Sequence, residues 1–282
     1  PNLNDNGDHI GGIVGTLKSI GYAIRLINPT RVIIVFDGKG GAKSRQEVYA
    51  GYKADRGKNK IRLNRAYTDL MNEEDEQVSM KRQMFALGEL LTTLPVTTMV
   101  YDGIEADDVM ATYAVKEPGP IRIVTGDRDL FQLVSDEPDV QVIYVAKGIS
   151  SHDLVNREWI SKKYDIPGDR YGLFATFRGD PSDGLPGVKG IGEKGAALIA
   201  RHYASAEEAI VGAKNGDAHL LPSLQKKIID GADYLSFAPK LVACATDVLL
   251  PKIDTNLPKR PKSLDKILRY KTDLNLGSSV DR

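Results

Sequence analysis

The chain has 282 residues, 41% hydrophobic and 27% charged, enough for one large domain or two modest ones with a buried core. Its single cysteine, Cys244, excludes a disulfide scaffold, and its longest apolar runs, such as 32–36, are far too short to span a bilayer. Lysine and arginine total 38 and aspartate and glutamate 38, a net charge of zero that, taken globally, argues against a nucleic-acid partner.

Apolar residues Ile13, Leu17, Ile20, Ile24 and Ile27 recur at helical spacing over 10–27, and Asn28-Pro29 ends that helix. Residues 31–37 form a continuous β-branched run, a buried strand that closes on Asp37. A polar stretch, 38–57, follows it. Residues 60–94 are rich in charge and methionine and read as helical with a break. A short strand at 97–100 leads to a helix over 105–115. A strand at 121–124 turns tightly at Thr125-Gly126 into a helix over 127–134, and 140–145 is another strand. Past about residue 150 the strand signal fades. Helical patterns cover 153–164, 167–177, 193–203, 205–213 and 217–231, with one further strand at 246–250. The expected architecture is α/β, a mainly parallel sheet flanked by helices over 1–150, followed by a mostly α-helical region over 151–282.

The acids are not spread evenly. Asp37 stands at the carboxyl end of a strand, Glu105, Asp107 and Asp108 open the next helix, and Asp127 and Asp129 follow another strand. Acids at a helix start also complement the helix dipole, which accounts for one or two of them. In open α/β sheets, ligands sit in the crevice at the carboxyl ends of the strands. So many carboxylates at one edge would repel unless a cation joined them. Oxygen ligands with no histidine or cysteine nearby suit two Mg²⁺ or Mn²⁺ ions, which activate water and stabilise the leaving oxygen of a phosphodiester. His9, His152, His202 and His219 are scattered outside these segments and read as surface or packing residues.

Residues 190–195 match the dinucleotide pattern G-x-G-x-x-G, but a turn precedes them where that fold needs a strand. Residues 38–43 lack the ending of a phosphate-binding Walker loop. The wider segment 185–200 reads instead as a glycine-rich hairpin entering a helix. Its amides at Gly190 and Gly192, with Lys189 and Lys194, form a nest suited to a phosphate backbone.

The segments FDGKGGAKSRQEVYAGYKADR (36–56), GIEADD (103–108), TGDRDLFQL (125–133) and GDPSDGLPGVKGIGEKGA (179–196) resemble, in order and spacing, those of the 5′-nuclease family. That family comprises the 5′–3′ exonuclease domains of bacterial DNA polymerase I, phage 5′-exonucleases and flap endonucleases. The resemblance runs over roughly 10–250. It implies a PIN-like domain with a helical arch at about 57–94 and a helix–three-turn–helix DNA clamp. It implies a metal-dependent, structure-selective 5′ nuclease acting on DNA with a 5′ end, flap or junction in replication and repair. Asp37, Glu105, Asp107, Asp108, Asp127, Asp129, Asp180 and Asp183 match the family's metal-site acids. Arg45, Lys53 and Arg56 match its basic residues near the scissile phosphate, where cations stabilise developing charge. Gly187, Lys189, Gly190 and Gly192 match the backbone-gripping hairpin, which in the family also holds K⁺. Within the arch, charge would clamp single-stranded DNA, with Tyr52 and Tyr67 available for stacking. A monomer in the cytoplasm of a bacterial cell or phage-infected host is expected, with no membrane partner.

The chain departs from the family's pattern twice. Asp183-Gly184 stands where Asp-Asn is usual, a change a turn tolerates. The family also begins with a hydrophobic strand ending in Asp, ahead of the segment matching 3–27. That strand is expected upstream of Pro1, since Asp5 and Asp8 in a polar loop are poor substitutes. Without that strand, the fold would serve as a DNA-binding module that does not cut. A PIN-class RNase is the other alternative, disfavoured by the hairpin.

Charge by segment resolves the neutral sum. Residues 39–65 carry nine basic residues against Glu47 and Asp55, and 252–271 carry seven against Asp254 and Asp265. Eight acids are assigned to the metal site, where cations would cancel much of their charge. What remains is a basic track, and the zero net charge no longer speaks against DNA.

Overall fold

The computed structural model describes residues 3–4, 7–54, 73–253 and 264–276. In chain order they form α1 (Gly11–Ile27), β1 (Ile33–Asp37), α2 (Lys43–Val48), α3 (Glu73–Thr93), β2 (Thr97–Tyr101), α4 (Ala106–Lys116), β3 (Ile121–Thr125), a 3₁₀ turn (Asp129–Leu133), β4 (Val140–Tyr144) and β5 (Asp153–Val155). Helices α5 (Arg157–Tyr164), α6 (Tyr171–Arg178), α7 (Glu193–His202), α8 (Ala206–Lys214), α9 (Pro222–Asp230), α10 (Ala232–Leu235), α11 (Ala238–Val242) and α12 (Leu264–Asp273) follow. No described helix is long and apolar enough to cross a membrane.

The chain folds into two compact units, each discontinuous in sequence. One comprises residues 1–36, 57–100 and 251–282. Its core joins Ile10, Ile13 and Val14 of the α1 region to Leu87, Leu90 and Leu91 of α3, with Val96 and Leu276. Helix α1 ends where expected, because Asn28 takes the left-handed conformation at φ 49° and its N–H caps the Ile24 carbonyl. Strands β1 and β2 pair as a two-stranded sheet. Within this unit the Arg31 guanidinium donates to the Ile253 carbonyl at 2.6 Å.

The other unit comprises residues 37–56 and 101–250. Here β3 and β4 run parallel, with Ile121 opposite Val140 and Thr125 opposite Tyr144. Strand β5 adds antiparallel to β4, so the three-stranded sheet is mixed. Phe131 lies at the centre of the core, meeting Tyr144, Trp159 and Tyr171 edge to face at 5.1, 5.6 and 5.2 Å. Phe131, Tyr171, Phe174 and Phe177 are fully buried, each worth roughly 1.5–3 kcal/mol of transfer free energy or more.

Four expectations need correction. Residues 153–155 are a strand, not the start of a helix, because Leu154 pairs with Ile143 and Asn156 caps α5 through its side chain at Trp159 N–H. The helix expected over 127–134 is only a 3₁₀ turn, since the Asp127 carboxylate already accepts the Asp129 N–H at 2.9 Å. The polar stretch 38–57 contains helix α2. Residues 246–250 form no strand; the segment from 243 to 248, beyond α11, is bound by side chains instead of a neighbouring ladder.

Candidate active site

The site is built within the second unit, at the ends of β1 and β2 and in the loop after β3. Immediately after β1 the chain passes so close to the end of β2 that a Cβ at Gly38 would fall 1.9 Å from the Tyr101 carbonyl oxygen. Gly41 meets the Ile104 carbonyl at 2.9 Å in the same way. Lys39 N–H donates to the Asp102 carboxylate at 2.9 Å, and Gly103 N–H to the Lys39 carbonyl at 2.8 Å. Asp37 then reaches the first turn of α4, accepting the Ala106 N–H at 3.0 Å. Glu105, at the N-cap of α4, is brought to the same edge.

Glu105 is buried and receives three donors. Both Arg45 and Lys53 form short ion pairs with it, and the Tyr52 hydroxyl donates at 3.1 Å. Lys53 is itself buried, sits at φ 50°, and also lies 3.6 Å from the Asp183 carboxylate. Its N–H donates to the Asp183 carbonyl at 2.8 Å, so backbone and side chain both hold residue 53 in a left-handed conformation that costs a residue with a Cβ about 1–3 kcal/mol. Burial alone would lower the Arg45 pKa, but hydrogen bonding to Asp108 and the charges of Asp108 and Glu105 raise it above its ordinary value. Burial pushes the Tyr52 hydroxyl far up, and the neighbouring Glu105 pushes it further. Tyr52 is therefore a neutral donor locked under Glu105, and the expected stacking role is corrected: the ring is buried. Tyr67 and Arg56 lie outside the described residues.

Asp108 pairs with Arg45 through both oxygens, at 2.7 and 2.9 Å, and accepts the Ala245 N–H at 2.8 Å. Asp180 accepts the N–H and hydroxyl of Ser182 at 2.8 and 2.5 Å. Asp107 and Asp129 differ from these. Among the described residues no donor reaches either carboxylate. Burial raises both to about 7, and their neighbours add to it: Asp127, Glu105 and Asp37 for Asp107, and Asp127, Asp183, Asp180 and Asp107 for Asp129. The structure thus draws seven expected acids into mutual electrostatic range, and ties the eighth, Asp108, to Arg45. Among the described residues no group of three or more His, Cys, Asp or Glu side chains is arranged to hold an ion as it stands. The donor chemistry nonetheless fits a hard divalent cation: carboxylate oxygens, those of Asp107 and Asp129 crowded by like charge and without a donor among the described residues.

The hairpin is built by close backbone crossing. Gly179 at φ 78° and Gly187 at φ 66° face each other, and a Cβ on either would fall 2.4–2.5 Å from the other strand's backbone. Gly187 is buried, whereas Lys189, Gly190, Gly192 and Lys194 are exposed. Val188 and Ile191 anchor the turn in the core, and α7 begins at Glu193. The exposed residues Lys189, Gly190 and Gly192 thus lie directly before the N-terminus of α7, the place expected for an anion-binding nest, although the Ile191 N–H is taken by the Val188 carbonyl. The Lys227 ammonium donates to the Gly190 carbonyl at 2.9 Å, a contact that spacing in the sequence does not suggest. The sequence reading also missed Gln132, whose role shows only in three dimensions although it lies inside the segment 125–133.

Residues 1–165 match the model of the 5′–3′ exonuclease N-terminal resolvase-like domain, and residues 166–265 that of the 5′–3′ exonuclease C-terminal SAM fold. The chain is 34% identical over 277 residues to a 5′–3′ exonuclease of Streptomyces coelicolor, covering 98% of this chain and 90% of that one. It is 31% identical over 285 residues to a 5′–3′ exonuclease of Mycobacterium tuberculosis, covering 98% and 88%. Against the thermostable DNA polymerase I of Thermus aquaticus it is 34% identical over 275 residues, 96% of this chain but 29% of that one. In fold it is similar to the T5 5′-exonuclease with bound zinc ions, at a TM-score of 0.62 and 20% identity over 83% of this chain and 80% of that one. It is similar also to the Rad2 catalytic core in complex with DNA substrate, at 0.60 and 16% identity over 96% and 82%.

Proposed function

The chain belongs to the 5′–3′ exonuclease family, a family of metal-dependent, structure-selective 5′ nucleases, and we propose that its residues divide the work of hydrolysing a DNA phosphodiester as follows. Asp37, Glu105, Asp107, Asp127, Asp129, Asp180 and Asp183, with Asp108 beside them, form the acid set that holds two or more divalent ions, Mg²⁺ or Mn²⁺. When bound, such ions supply an activated water and charge stabilisation at the leaving oxygen. Lys53 is the cation poised at the acids' edge. Its ammonium, shared between Glu105 and Asp183, can turn to the scissile phosphate as charge develops there, and Arg56 would reinforce it. Arg45 orients Glu105 and Asp108. Gly187 shapes the hairpin whose exposed part, Lys189, Gly190, Gly192 and Lys194, grips the duplex backbone without reading bases. K⁺ at this hairpin, a monomeric state, a cytoplasmic setting and the division at residue 150 belong to the same proposal.

The observation that carries the reading is the meeting of acids from separate segments about one buried cation, Lys53, which pairs with Glu105 and lies 3.6 Å from the Asp183 carboxylate. The test is a 5′-flap duplex, labelled on the flap, incubated with the protein and Mg²⁺ or Mn²⁺. Cleavage near the junction or release of 5′ nucleotides supports the reading. Salt-sensitive binding without cleavage under any divalent ion overturns it in favour of a DNA-binding module. Preference for an RNA competitor overturns it in favour of an RNase.

A further inference from the structure

Helix α11 ends at Val242, Ala243 turns extended, and the residues that follow join no ladder among the described residues, yet side chains bond much of their backbone. Gln132 Nε2 donates to the Val242 carbonyl at 2.9 Å, and its Oε1 accepts the Cys244 N–H at 3.2 Å. Arg45 donates to the Ala243 carbonyl at 2.9 Å, Asp108 accepts the Ala245 N–H at 2.8 Å, and Thr112 Oγ1 donates to the Ala245 carbonyl at 3.3 Å. Further along, the Lys116 ammonium donates to the Val248 carbonyl at 2.9 Å. Side chains thus take the place of a sheet partner along this strap.

Gln132 differs from the other strap contacts in one respect. The same Nε2 that holds Val242 also donates to the Asp129 carbonyl at 2.8 Å. One planar amide therefore joins the strap to the backbone of an acid whose carboxylate has no donor among the described residues. A 3₁₀ turn of five residues has few internal bonds to fix its own orientation. The Gln132 side chain, although it belongs to that turn, is anchored outside it on Val242 and Cys244, and so ties the turn's first carbonyl to the strap.

We propose that Gln132 is a positioning residue of the acid edge, through which the strap at 242–244 sets the orientation of Asp129. The inference rests on the assignment of Asp129 to the metal site. Groups behind metal-binding side chains commonly alter metal affinity or activity about 10–100-fold when removed. Gln132→Met keeps the length and volume of the side chain while removing its donors and acceptor.

The test measures Mn²⁺ binding to the DNA-free protein by calorimetry, thermal unfolding, and flap cleavage with kcat and KM separated. Gln132→Met is expected to weaken Mn²⁺ binding about 10-fold and lower kcat by a similar factor, with KM for flap DNA within about twofold. Lys116→Met loosens the strap at Val248 without touching the acids and is expected to keep wild-type Mn²⁺ affinity. If Gln132→Met fails to fold, Gln132→Ser leaves room for water at the freed backbone groups and is expected to show the same loss. Wild-type Mn²⁺ affinity and kcat in the folded Gln132 variant overturn the inference while leaving the nuclease reading intact. Equal loss in Lys116→Met overturns it too, because general loosening of the strap then suffices. A wild-type protein that takes up no Mn²⁺ overturns the metal-site reading and this inference with it.

Discussion

Gly184 and Gly51 approach so closely that a Cβ on Gly184 would lie 2.2 Å from the Gly51 carbonyl oxygen. Gly184 also sits at φ 71°, a conformation that costs a residue with a Cβ roughly 1–2 kcal/mol. The Asn usual at this place in the resembling segments cannot fit here without moving the 51–53 turn. That turn carries Lys53, whose N–H is bonded to Asp183. Gly184→Ala is therefore expected to lower stability by about 2–4 kcal/mol, from backbone strain plus overpacking. A urea titration with an unchanged m-value and a reduced midpoint would bear this out. A neutral result would mean that the turn gives way easily.

Much of this arrangement was legible in the chain. The β-branched runs at 33–37 and 121–125 needed no tertiary information, and acids placed just after strands pointed to one edge. Asn28-Pro29 stopped α1 by local conformation alone. Other features depended on partners remote in sequence. The alternation at 246–250 looks like a strand, but the preceding residues find their hydrogen bonds in Arg45, Asp108, Thr112 and Gln132. Asp108 and Arg45 read separately as a metal-site acid and a phosphate-facing cation; no spacing rule shows that they face each other. Tyr52 looked available because it follows a basic stretch, while its burial under Glu105 is a property of the packed site. The 153–155 strand was too short to separate from the helix behind it.

Lys53 is the residue whose loss should separate chemistry from binding. Its ammonium lies buried between Glu105 and Asp183, so Lys53→Met leaves Glu105 with the Arg45 cation and the Tyr52 hydroxyl, and Asp183 without this cation. Removing a buried partner commonly costs about 3–5 kcal/mol, and Arg45 should hold the loss to the lower end. Loss of a cation aimed at developing charge costs about 10²–10³ in kcat. We expect kcat to fall by that factor with the Kd for flap DNA changed less than about threefold. Stopped-flow single turnovers alongside a binding titration distinguish this from a parallel fall in both.

Asp129→Asn keeps shape and removes charge. With Asp129 assigned to metal, turnover should drop at least about 100-fold while duplex binding in Ca²⁺ stays within a few-fold. An equal fall in binding and turnover would mark Asp129 as structural instead.

The raised carboxyls set a pH dependence of stability. Asp107 and Asp129 titrate at about 7 in the folded protein, against about 4 in an unfolded chain. Between those values the folded state keeps protons that the unfolded state has released, so stability falls as pH rises from about 4 to 7 and levels off above. Asp217, held down to about 2 by the His219 N–H, the Tyr203 hydroxyl and the His219 ring, acts in the opposite sense. Its stabilisation is present above about pH 4 and is lost only below, outside this window. In EDTA the melting temperature should therefore be higher at pH 5 than at pH 8. Saturating Mg²⁺ should shrink the difference, because a cation favours the ionised acids. A melting temperature that rises steadily from pH 5 to 8 in EDTA would contradict the coupling of these carboxylates.

Lys189 tests the hairpin by a different readout. It is exposed at the tip of the turn from Val188 to Ile191, which the Ile191 N–H closes on the Val188 carbonyl. A lysine that neutralises one phosphate releases counterions on binding, so its removal changes the salt dependence as well as the affinity. Lys189→Ala should weaken binding to duplexes of unrelated sequence by the same factor. The slope of log K against log salt should become shallower by about 1. Kcat at saturating DNA should stay within about twofold, because Lys189 is exposed and forms no ion pair with the acids among the described residues. A sequence-dependent loss would mean that Lys189 reads bases, and an unchanged slope would mean that it touches no phosphate. Either result would remove the hairpin's cations from the DNA track and leave its amides to account for the grip.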